Sequence, residues 1–138
     1  MLPAVWCTLV MLNDKYACGA AVMAKSLRDV DTKYPIWCMV TEGVSEECVA
    51  FLNMHFDHIV HVPLITHKCN MLRYKRQQAE YGPWIHASFT KLNVLNPELF
   101  NVNKVMFLDT DMFFTENCDE LFELNTPAMT FSSPWAEP

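Results

Sequence analysis

Two carboxylates one residue apart interrupt an apolar run in the stretch KVMFLDTDMFF: Asp109 and Asp111, set between Leu108 and Met112. An unpaired carboxylate is costly to desolvate, so it either neutralises or finds a cation. Two hard oxygen ligands suit Mg²⁺ or Mn²⁺ and leave coordination positions for water and phosphate oxygens. A metal held there would offset charge developing on a diphosphate leaving group, a Lewis-acid role. The competing reading is a solvated turn that carries two acids. Position favours the metal: Lys104–Leu108 has the pattern of a buried strand, which puts Asp109 at the carboxyl end, the edge where open α/β sheets bind ligands. In an extended segment Asp109 and Asp111 would project to the same side.

Other residues with chemical potential converge on the same edge. Asn13 and Asp14 follow the first apolar run, and a 3-2-1-4 strand order would bring their loop beside Asp109. Tyr16, just inside the next helix, has a ring that can stack on a base. On the residues alone, however, Asn13 reads as a helix cap and Tyr16 as a helix-surface aromatic. Lys91 can serve a phosphate as a point charge, against the ordinary expectation of a solvated helix lysine. Lys68, Arg73, Lys75 and Arg76 form the one basic cluster, short enough to hold a single phosphate group. His55, His58 and His61 recur every third residue, but they cross a helix-to-strand transition, which separates their faces.

The elements that must position these groups follow from hydrophobic periodicity. Val5–Leu12 is a continuous apolar run closed by Asn13-Asp14, as for a strand buried on both faces. From Tyr16 the period becomes helical, with Ala20, Met23, Ala24 and Leu27 on one face up to Arg28. Ile36–Val40 is a second buried strand. Ser45 is an N-cap with Glu46 and Glu47 in the first turn of a helix reaching about Met54. His58–Val62 is a third strand. Pro63–Pro83 is polar, basic and irregular, Ile85–Leu95 has a helical pattern with Phe89, Leu92 and Leu95 near one face, and Lys104–Leu108 is a fourth strand. Cys118–Leu124 reads as one or two helical turns and Ala128–Phe131 as a fifth strand. The fold class is therefore α/β, a mostly parallel sheet with helices on both faces, in one domain spanning residues 1–138.

Composition narrows the partners. A net charge of −6 with no long basic block argues against nucleic acid, whose phosphates need clustered Lys and Arg. The apolar opening Met1–Leu12 is too short to span a bilayer and lacks the marks of a signal peptide. The six cysteines include no C-x-x-C pair and lie mostly in apolar segments, so they read as reduced structural thiols of a cytosolic or nuclear compartment. A homo-oligomer is compatible with the sequence.

Four stretches taken together, TLVMLNDKYACGAAVMAKSL, FTKLNVLN, KVMFLDTDMFF and NCDELFEL, resemble the glycogenin-like nucleotide-sugar transferases, family 8 of the retaining glycosyltransferases. The resemblance extends to galactinol-synthase-like enzymes and to relatives encoded by large insect viruses, and it keeps the family's order over most of the chain. It implies a GT-A, Rossmann-like fold and a cytoplasmic enzyme, in the host cytoplasm if viral. It also implies a UDP-sugar donor with Mn²⁺ (or Mg²⁺), and an unknown acceptor that is a glycan, a protein or a polyol. By position, Asp109 and Asp111 match the metal ligands, with Thr110 near the ribose. Asn13 and Tyr16 match residues that hold the uridine, and Thr8 and Leu9 lie on the corresponding first strand. Lys91 matches a lysine acting at the diphosphate, the one residue assigned a catalytic part. An arginine of the basic segment, Arg73 or Arg76, would fill a phosphate-binding role, Arg76 being the one placed at the donor.

The family pattern continues with an N-x-G segment, a D-Q pair and a late His motif that completes the metal site, and none has a counterpart here. The resemblance thus implies a donor half without the acceptor half, as in a shortened relative. No nucleophile is assigned. Two alternatives accompany the hexosyltransferase reading. One is a catalytically incomplete remnant that still binds UDP-sugar and metal. The other is a haloacid-dehalogenase-type phosphatase, disfavoured because its D-x-D lies on the first strand and Phe113 stands where Thr or Val is needed.

Overall fold

The structure is a computed structural model that describes residues 2–71 and 73–130. Four strands, β1 (Leu2–Val10), β2 (Ile36–Val40), β3 (His58–His61) and β4 (Val102–Phe107), form one parallel sheet in the order β3-β2-β1-β4. This is the 3-2-1-4 order that would set the loops after the first and fourth strands side by side. The order reverses between β1 and β4, so the crevice at their carboxyl ends lies at a switch point.

Alternation along the strands explains the two layers. On one face Ala4, Trp6 and Val10 of β1 and Ile36, Cys38 and Val40 of β2 pack beneath α1 (Ala17–Asp29) and α2 (Glu46–Asn53). Helix α1 turns Ala20, Met23, Ala24 and Leu27 inward, the predicted face. Ser45 caps α2, its Oγ accepting from the Cys48 N–H at 3.1 Å. On the other face Cys7, Met39 and Val60 pack with Val94, Leu99 and Phe100. Both faces are thus covered, as a parallel sheet requires.

That second layer differs from expectation in three places. The segment Pro63–Pro83 is not wholly irregular: it contains α3 (Lys75–Tyr81). Ile85–Leu95 winds as a 3-10 helix, so the buried residues recur every third position, at Ala87, Thr90 and Asn93. Leu92 and Leu95 are consequently exposed, and only Phe89 of the expected trio is half-buried. Residues 128–130 form no strand, and Phe131 lies outside the described residues. Asp119–Glu123 makes the predicted short helical turn, of 3-10 type, with Phe122 buried. No described helix is long and apolar enough to cross a membrane.

Candidate functional site

Strand β4 stops at Phe107, and the Leu108 N–H makes the last bond to β1, donating to the Cys7 carbonyl at 2.8 Å. Leu108 is buried, Asp109 is exposed, and Thr110-Asp111 form a turn. The two acids therefore share the sheet's edge, but a turn and not an extended strand sets their relative direction. Thr8 secures the approach to this turn. It is 0 % exposed, and its hydroxyl donates to the Leu108 carbonyl at 2.8 Å, occupying an acceptor that would otherwise be buried without a partner. Leu9, next on β1, is half-buried against the second layer.

Beyond the turn the chain is clamped to α1. A Cβ added at Gly19 would come 3.0 Å from the Thr110 carbonyl oxygen, so the bare glycine permits this close approach. The buried Ser26 hydroxyl donates to the Met23 carbonyl at 2.7 Å and accepts from the Phe114 N–H at 3.1 Å. Asn117 Nδ2 donates to the carbonyls of Val30 (2.9 Å) and Asp31 (3.1 Å). The Asp119 carboxylate accepts from the Thr32 hydroxyl and, at 2.8 Å, from the Lys33 N–H. Phe122 then packs edge-on against Trp6, ring centroids 4.6 Å apart. The stretch NCDELFEL thus anchors the chain that follows the turn.

Across the crevice, the loop after β1 is equally constrained. Leu12 takes a left-handed conformation, φ 69°, and its N–H donates to the buried Thr41 hydroxyl at 2.9 Å. A Cβ at Gly43 would lie 2.4 Å from the Leu12 carbonyl oxygen, so only glycine fits there. Asn13 Oδ1 accepts from the Lys15 N–H at 3.0 Å, the capping role, and the residue is exposed, with no hydrogen bond from its Nδ2 among the described residues. The Asp14 carboxylate accepts from the Ser45 hydroxyl (2.7 Å) and the Ser45 N–H (2.8 Å), tying the loop to the start of α2. Those bonds, the hydroxyl first, hold its carboxyl below the ordinary carboxylate range. Tyr16 closes the turn Asp14–Tyr16 with its ring exposed and the Lys15 Nζ 5.5 Å from the ring centroid.

Lys91 reaches the acids from the 3-10 helix. Its neighbours Thr90 and Asn93 face inward: Thr90 Oγ1 accepts from the Ile65 N–H at 3.1 Å, and Asn93 Nδ2 donates to the Pro63 carbonyl at 2.9 Å. Lys91 is left on the outer side with Nζ 3.4 Å from Asp109 Oδ1 and 5.2 Å from the Phe107 ring centroid. Lys91 and Asp109 side chains are 47 % and 65 % exposed, so this is a solvent-screened pair at the crevice mouth. Depressions of about 520 Å³ and 480 Å³ lie elsewhere, at the amino end of β2 and along the outer side of β4. Neither is lined by Asp109 or Lys91.

Other candidates are not brought together. Among the described residues no ion pair joins Arg73 or Arg76 to Asp109 or Asp111; Arg76 is exposed on α3, and Arg73 lies 5.7 Å from the Tyr74 ring. His55 packs on Phe51 and His58 on Trp37, and no three His, Cys, Asp or Glu side chains converge among the described residues. The described cysteines are free, and burial pushes the Cys7 thiol up and the Cys38 thiol to about 12, which removes both as thiolate nucleophiles. The donor set at the crevice is therefore two exposed carboxylates, one of which has already drawn a cation, the Lys91 ammonium. Such a set fits a hard divalent ion that takes its remaining ligands from phosphate oxygens and water.

Comparison with known proteins matches residues 7–132 to glycosyl transferase family 8. Over 121 residues the chain is 32 % identical to "Uncharacterized protein R707" of Acanthamoeba polyphaga mimivirus, covering 88 % of this chain and 40 % of that protein. Over 118 residues it is 33 % identical to a glycogenin of Neurospora crassa (83 % of this chain, 16 % of that protein). It is 35 % identical over 118 residues to Glycogenin-1 of Caenorhabditis elegans (85 % and 26 %). The chain thus spans less than half the length of these curated relatives. The matched region runs from the middle of β1 through the D-x-D turn to beyond its anchor, and the sheet that carries it is parallel with both faces covered. This chain belongs to glycosyl transferase family 8.

Proposed function

We propose that the chain forms the donor site of a metal-dependent, retaining hexosyltransferase that takes a UDP-linked sugar and passes the hexose to a glycan, protein or polyol acceptor. The observation that carries this reading is the pairing of Lys91 with Asp109 at the carboxyl end of β4, facing the loop of Asn13 and Tyr16. Asp109 and Asp111 would hold Mn²⁺ (or Mg²⁺), which when bound supplies Lewis-acid stabilisation of the departing diphosphate. Lys91 brings a positive point charge to the same diphosphate. Thr110 lies beside the ribose, Asn13 offers its Nδ2 to the uracil, and Tyr16 offers its exposed ring as a stacking surface. Thr8 acts by setting the Leu108 carbonyl, and thereby the turn, in place. Leu9 lies beside Thr8 on β1, and Arg76, exposed on α3, would be the arginine that serves the phosphates. Residues 1–138 act as one nucleotide-sugar-binding domain, and the free thiols support a reducing, cytoplasmic setting.

Incubation of the 138-residue chain with UDP-hexoses and Mn²⁺, with released UDP measured, tests the reading. Release should require Mn²⁺ and fall by about a hundredfold in Asp109→Ala and in Asp111→Ala, as for loss of a group stabilising a developing anion. Absence of release from any UDP-hexose by folded protein, or release indifferent to both substitutions, would contradict it.

A further inference from the structure

We propose that Lys91 is a counter-ion latch: it holds the Asp109 carboxylate while the crevice is empty and is exchanged onto phosphate when a divalent cation and a diphosphate enter together. The inference rests on the donor-site reading above. Its geometry is direct. Thr90 and Asn93, on either side of Lys91, are buried and bonded to Ile65 and Pro63, so the backbone that carries the lysine is fixed. From that base the ammonium sits 3.4 Å from Asp109 Oδ1, with the Phe107 ring 5.2 Å away as a second attractive surface.

A hard cation and an ammonium cannot share one carboxylate oxygen without like-charge repulsion at short range. A metal arriving alone at the oxygen Lys91 holds, Asp109 Oδ1, would displace the ammonium and leave it facing a dication. A metal arriving with a diphosphate gives the displaced ammonium, with its three donors, a new anionic partner. The latch makes metal and diphosphate bind better together than either does alone, a coupling that must be reciprocal. It also predicts that neutralising Lys91 has opposite effects on the two ligands, which loss of a merely structural lysine would not produce.

The test uses Mn²⁺ alone, followed by its free electron-spin signal, and UDP at saturating Mn²⁺, followed by calorimetry. Lys91→Ala and Lys91→Gln should bind Mn²⁺ alone about 1.5- to 5-fold more tightly, the range for loss of an exposed ion pair. The same variants should bind UDP with Mn²⁺ about tenfold or more weakly, and Lys91→Arg should restore both values toward wild type. Lys91→Gln keeps the aliphatic stem over Phe107, and circular dichroism checks that each variant is folded. Unchanged or weakened binding of Mn²⁺ alone in both neutral variants overturns the latch while leaving the donor site standing. Failure of the wild-type chain to bind UDP with Mn²⁺ overturns the donor site and the latch with it.

Discussion

Individual side chains in this crevice divide into those already committed within the protein and those left free. Thr8, Ser45 and Asp14 are committed: each satisfies a backbone or side-chain partner, and Thr8 has no surface to offer. The Tyr16 ring and Asp111 are exposed, and Lys91 and Asp109 are committed only to each other, in a solvent-screened pair. Asp109 and Asp111 stand out in the sequence because charges inside an apolar run are conspicuous, whereas Lys91 is singled out only by the family resemblance. The sequence also places Asp14 at this edge, but not its bond to Ser45, which is 31 positions away with nothing local to mark the pairing. Hydrogen bonds from Ser45 favour the ionised form of Asp14 and lower its folded value relative to the unfolded chain. Its stabilising contribution is therefore present above the unfolded value, about pH 4, and is lost as pH falls through the lower folded value. Asp14→Asn should accordingly lose less stability than wild type between pH 6 and pH 3, measured as the urea midpoint. Equal losses would show that Asp14 does not contribute through its charge.

Among the elements, the loops are positioned by glycines that motif reading passed over. The chain has only three glycines, and two of them, Gly19 and Gly43, sit against backbone at the two sides of the crevice. Their scarcity was a signal, but their partners, Thr110 and Leu12, became evident only with the sheet order known. Gly43→Ala should destabilise the fold by about 1–3 kcal/mol, since a Cβ 2.4 Å from the Leu12 carbonyl forces backbone to move. The displaced loop carries Asn13 and Tyr16, so UDP affinity should fall as well; denaturant titration and calorimetry on the same variant report both. A substitution neutral in both would remove the loop from the site. Strands and both major helices were legible because their apolar periods are long and unambiguous. The segment after β3 was harder: a 3-10 period of three places Thr90 and Asn93 inward, where an α-helical reading favours the leucines. Polar residues facing inward escape any hydrophobic pattern.

At the scale of the whole molecule, one topological fact turns separate motifs into a site. The sheet order β3-β2-β1-β4 sets the loop after β1 beside the turn after β4, although about a hundred residues separate Thr8 from Leu108. The alternation of strands and helices with short connections made a parallel sheet legible and left 3-2-1-4 as one order that would bring the two loops together; the structure has that order. What the pattern did not reveal is how the turn is held: α1 is flanked along its length by residues 110–119, through Gly19, Ser26, Val30, Asp31 and Thr32. The helix that fills the core on one side is also the bed for the D-x-D turn. The claim that this edge is a nucleotide–metal site is tested most directly by calorimetric titration of the 138-residue chain with UDP, with and without Mn²⁺. Manganese-dependent binding that disappears in both Asp109→Ala and Asp111→Ala is the predicted result. No binding by the folded wild-type chain, or binding that survives both substitutions, would contradict it.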